Sequence, residues 1–112
     1  MAFTTEFVMG AGGAVEVEEI PVSMNGGGTG TAYPLTTVNA GTGACVWVEG
    51  ALAAPSATSN SSPQLQVGSR TYTGIGDRIG GGGYFTGTVN VSVLSRTFSA
   101  TTFTGTVYVT RL

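Results

Sequence analysis

The sequence predicts an all-β domain: an antiparallel β-sandwich, jelly-roll or immunoglobulin-like, of about seven to eight strands. Three observations carry that expectation. Apolar and polar residues alternate with period two along several short stretches. No window of helical length shows an apolar stripe at a spacing of about 3.6 residues. The chain also has 19 glycines among 112 residues and many Val and Thr, which disfavour helix throughout. Its length suits a single domain spanning residues 1–112 with a core of its own.

The elements follow in order. Phe3, Thr5, Phe7 and Met9 alternate along a first strand. Val15 and Val17 alternate with Glu16 and Glu18, after which Ile20, Val22 and Met24 take the opposite parity. An extra residue near Glu18-Glu19, a β-bulge, would restore the phase, and Pro21 fits a bulge or an edge. Gly26 to Gly30 is a turn, and Thr31 to Val38 is a short extended piece. Ala44 to Leu52 is apolar on both parities, which predicts a central strand covered on both faces, with Cys45 a buried thiol and Trp47 in the core. Ala53 to Pro63 is the longest loop. Leu65 and Val67 then meet Gly68-Ser69, a pair suited to a type II′ hairpin, and Arg70 to Thr73 returns. Gly74 to Gly83 reads as a loop with Asp77-Arg78 at its tip. Finally, Phe85-Thr86-Gly87-Thr88-Val89 recurs as Phe103-Thr104-Gly105-Thr106-Val107, and Val91 recurs as Val109. Two strands with equivalent structural roles are the simplest reading of that repeat.

Composition excludes more chemistry than it suggests. Histidine and lysine are absent, so the commonest general base and the Schiff-base amine are missing. Glu16 and Glu18 share a strand parity roughly 7 Å apart, but they read as solvated outer-face glutamates opposite buried Val15 and Val17. No catalytic residue is assigned, and the chain reads as a non-enzyme. Zinc would need Cys and His clusters, and a single Asp is too little for a calcium loop. No metal or cofactor site is therefore assigned. In the stretch from Gly74 the third glycine of a dinucleotide fingerprint would fall on Ile79, and no lysine is present to reach a phosphate. A net charge of −2 with four arginines argues against nucleic acid and against an anionic membrane surface. Charged residues make up only 9% of the chain. Such a surface barely repels its neighbours, which favours association. Met1 to Glu6 lacks the basic and apolar regions of a secretory signal, so synthesis in a cytoplasm is expected.

Candidate contact residues are Asp77, Arg78, Tyr72, Tyr84 and Tyr108, because Arg and Tyr are enriched at subunit and ligand contacts. With no histidine, assembly is expected to change little between about pH 6 and 8.

The opening Met1-Ala2-Phe3-Thr4-Thr5-Glu6-Phe7, the Gly-Thr-Gly turn at Gly41-Thr42-Gly43 and the two Phe-Thr-Gly-Thr-Val strands give the chain a texture that resembles small virion proteins of tailed phages, especially those infecting actinobacteria. The resemblance implies a non-enzymatic sandwich docking in several copies within the virion, as a minor tail protein or, alternatively, as capsid decoration. Its partners would then be further copies of itself and other virion proteins. A reading from another class is a carbohydrate-binding or receptor-binding adhesion module, which an exposed Trp or Tyr cluster would favour.

Overall fold

In the computed structural model the described residues are 3–8, 14–54, 62–74, 76–96 and 100–112, the side chains of 3–8, 14–15 and 76–77 excepted. Seven strands form: β1 (Phe3–Val8), β2 (Ala14–Gly26), β3 (Thr31–Ala53), β4 (Gln64–Val67), β5 (Arg70–Thr73), β6 (Gly76–Ser95) and β7 (Thr101–Arg111). They pair antiparallel in the order β1-β2-β7-β3-β6-β4-β5.

Two of these strands are far longer than the rest, at 23 residues for β3 and 20 for β6. Each serves two layers. The β3–β6 ladder slips between Asn39 and Gly41 and again between Gly41 and Ala44. At that point Gly41 and its partner Gly87 take left-handed φ values of +57° and +74°. Extra residues on one strand bend it, so the ribbon turns from one layer into the other. The first half of β3 and the second half of β6 join β4 and β5 in one sheet. The second half of β3 and the first half of β6 join β7 and β2 in the other.

Counted by halves, the strands of the first sheet run β3, β6, β4, β5 and those of the second run β2, β7, β3, β6. That order, with the chain crossing repeatedly between sheets, is the jelly roll. It differs from the immunoglobulin arrangement of sheets ABED and CFG. The two stretches expected as separate strands, Thr31 to Val38 and Ala44 to Leu52, are thus one bent strand.

Both sheets contribute to a single core. Val38, Ala40, Leu65, Val67, Val89, Val91 and Val93 come from the first, and Val22, Val46, Val48, Leu52, Phe103, Val107 and Val109 from the second. Phe103, Leu52 and Leu65 are the largest fully buried side chains, each contributing about 1.5–3 kcal/mol through burial. Where β6 leads into β7, the hydroxyls of Ser95 and Thr101 are buried and bonded to each other at 3.2 Å. Among the described residues no buried side-chain polar atom is left without a partner.

Ala44 to Leu52 is central in its sheet but covered on one face only: Val46, Val48 and Leu52 are buried, whereas Cys45, Trp47 and Glu49 are exposed. No bulge interrupts β2, whose ladders run unbroken from Ala14 to Gly26. Glu16 and Glu18 lie on the inward parity of Ile20 and Val22, beyond the rim of the core. There Glu18 accepts a 3.0 Å bond from Arg111, and Val17 is half-buried. The parity changes because β2 changes company, pairing with β1 up to Glu19 and with β7 from Glu18 onward. Pro21 falls just past the end of the β1 ladder, where β2 has become an edge. From Gly76 the expected glycine loop is strand, and Arg78 lies within β6 rather than at a tip. The hairpin at Gly68-Ser69 forms, with Val67 opposite Arg70 and φ positive at Gly68 alone, as type II′ requires. Most of the expected long loop, residues 55–61, lies outside the described residues.

The two copies of the repeat share a role at their valines and part at their glycines. Val89 and Val91, like Val107 and Val109, point into the core beside β3. Gly87 turns the ribbon, whereas Gly105 lies flat against Gly50 under the Phe103 ring, so that a Cβ on Gly105 would meet Gly50 Cα at 2.8 Å and Phe103 Cζ at 2.9 Å. In the other copy Phe85 is half-buried and carries the Arg70 guanidinium 5.2 Å from its ring centroid.

Candidate binding groove on an outer sheet face

Successive side chains of a strand point to opposite faces, so burying Val46 and Val48 sends Cys45, Trp47 and Glu49 outward. Register fixes their neighbours. Trp47 stands opposite Tyr108 on one side and Gly82 on the other. Glu49 stands opposite Thr106 and Gly80. Trp47, Glu49, Gly50, Arg78, Ile79, Gly80 and Tyr108 together line a groove of about 420 Å³.

The glycine run of β6 makes the groove. A Cβ on Gly82 would run into the Val46 carbonyl, so β6 approaches β3 more closely there than any side chain would permit. A Cβ on Gly80 would stand 3.5 Å from Trp47 Cζ2 and 3.2 Å from Glu49 Cγ. Without it, that approach to the indole stays open, and the ring is 44% exposed. Its Nε1 donates to Glu49 Oε1 at 3.0 Å, which fixes the ring and orients the carboxylate.

Among the described residues, Arg78 is exposed and makes no ion pair or hydrogen bond, and the half-buried Tyr108 leaves its hydroxyl free. The groove therefore offers a flat aromatic face, a carboxylate oxygen, a guanidinium and a phenol within one cleft.

Of the candidate contact residues, only Arg78 and Tyr108 come together here. Tyr84 is 53% exposed at another part of the same face, opposite Cys45, and donates to the Thr42 carbonyl at 3.2 Å. Tyr72 has a structural task. Its hydroxyl accepts from Gly82 N at 2.9 Å and donates to Gly82 O at 3.1 Å, while Arg70 Nη1 donates to the same carbonyl at 2.9 Å. These side chains cap an open edge of β6 and blunt it against pairing with another strand. The side chain of Asp77 lies outside the described residues.

Trp47 and Glu49 were not among the expected contacts. The signal that exposes them is Glu49 itself: a charged residue on the parity of Cys45 and Trp47 marks that parity as outward. Among the described residues no group of three or more Cys, Asp or Glu is placed to hold a metal ion, and no helix is long and apolar enough to cross a membrane. Comparison with known proteins finds no matching family model, no matching curated relative and no matching solved structure.

Proposed function

We propose that this chain is a non-enzymatic structural subunit of a tailed-phage virion, a minor tail protein that assembles in several copies through its strand edges. The observation that carries the reading is the ribbon of β1 and β2. Thr5 to Val8 pair with Ala14 to Val17, and among the described residues this part of β2 has no partner strand on its other side, since β7 joins only from Glu18. A two-stranded ribbon is marginal in water alone and gains stability from a third element. A second copy supplies one by adding a strand to the open edge or by exchanging β1. The weakly charged surface, at 9% charged residues, favours such contacts. Jelly rolls include viral capsid domains, which is fold-level analogy. The same chemistry serves capsid decoration equally well.

The test is the solution mass of the purified protein by light scattering over a tenfold concentration range. A discrete trimer, hexamer or larger ring is expected, shrinking when residues 1–13 are removed. A monomer throughout the range would contradict the reading. If the shortened chain loses its fold by circular dichroism, Thr5→Pro, which removes one backbone donor from the ribbon, replaces it.

A further inference from the structure

We infer that the groove between Trp47, Glu49, Arg78 and Tyr108 is a carbohydrate site, taking a neutral pyranose with one face on the indole and adjacent hydroxyls shared between Glu49 and Arg78. The inference goes beyond the assembly reading and does not depend on it, because the ribbon of β1 and β2 and the lining of the groove have no residue in common.

The chemistry of the lining selects the ligand. Trp47 offers an exposed, immobilised ring on the open side of a glycine strand. Aromatic rings of this kind present a large apolar face with a polar handle, which matches the C–H face of a sugar ring. Around that ring stand acceptors and donors together: the second oxygen of Glu49, the guanidinium of Arg78 and the hydroxyl of Tyr108. A purely apolar ligand would bury Arg78 and the Tyr108 hydroxyl unpaired, which costs the desolvation of each group. An anion would meet the Glu49 carboxylate and a cation the Arg78 guanidinium. A polyol gives every group a partner, since each hydroxyl both donates and accepts. The groove's volume of about 420 Å³ lies within the range of small-ligand sites.

Trp47 is the only tryptophan, so its emission reports on the groove directly. The experiment titrates the full chain with the methyl glycosides of D-glucose, D-galactose, D-mannose and N-acetyl-D-glucosamine up to about 100 mM, an affinity near the weak end of specific binding. A saturable change in emission with at least one of them is expected. Arg78→Ala, Tyr108→Ala and Glu49→Gln should each raise the midpoint at least fivefold while leaving the circular dichroism unchanged. Thr37→Ala, on the outer face of the other sheet, should leave the midpoint where it was. Absence of a saturable change with all four glycosides overturns the inference, and so does a midpoint insensitive to Arg78→Ala and Tyr108→Ala. Emission that tracks protein concentration instead would show a second copy covering the groove, and would overturn the inference as well.

Discussion

The two sheets turn very different outer faces to solvent. On the sheet of β4 and β5, short polar side chains pair with one another across strands: Thr37 donates to Asn90 at 3.1 Å, Ser92 to Gln66 at 3.1 Å and Gln64 to Thr73 at 3.4 Å. Those pairs satisfy one another within the face. On the sheet of β2 and β7, the outer face carries Trp47, Tyr108, Glu49 and Arg78, of which, among the described residues, only Trp47 and Glu49 are bonded, to each other. Both faces cover the same core, so the core does not require the difference. The glycines of β6 create it, because a strand without side chains cannot cover the large groups beside it. A cation with no partner among the described residues and an exposed indole in one cleft set this face apart from the other.

Substitutions can break or sharpen that contrast. The largest effect is expected from Phe103→Ala, which empties the space over Gly50 and Gly105 and should cost about 3–5 kcal/mol in denaturant unfolding. Trp47→Ala, on the outer face, should cost under about 1 kcal/mol. Equal losses would place the indole in the core and abolish the contrast. Next comes Tyr72→Phe, which removes the acceptor of Gly82 N and a donor to its carbonyl. A loss of about 0.5–1.5 kcal/mol is expected, accompanied by faster hydrogen exchange at the Gly82 amide. Unchanged exchange would mean that the edge of β6 is not held by Tyr72. Glu18→Gln removes the pairing with Arg111, whose partners are 50% and 28% exposed. Its effect should stay within about 0–1 kcal/mol and vanish in molar salt. The smallest change is expected from Thr37→Val, within about 0.5 kcal/mol, because Asn90 and its neighbours can turn to water.

The sequence made the class of fold legible because period-two alternation and glycine-rich turns act locally. The Gly68-Ser69 hairpin was legible for the same reason, since two residues set its geometry. What escaped was set by partners distant in the chain. The bend of β3 at Gly41 depends on Gly87, far along the sequence, and without it the two halves read as separate strands. Gly80 to Gly83 carry no side chains and so show no parity at all, which made strand look like loop. The hydrophobicity around Cys45 and Trp47 favours burial, whereas Glu49 on the same parity points outward. The groove could not be read from any single segment, since its lining comes from β3, β6 and β7.

One thiol allows the contrast between the faces to be tested directly. Cys45 is the only cysteine and lies on the outer face, exposed, opposite Thr110 and Tyr84. The measurement is the rate of its reaction with a small disulfide reagent in the native protein, compared with the rate in denaturant. Complete labelling at a native rate within about tenfold of the denatured one is the result expected from an open face, since reaction follows access to the thiolate. Labelling that proceeds only when the protein unfolds would put Cys45 inside, and would contradict the open outer face on which the groove rests.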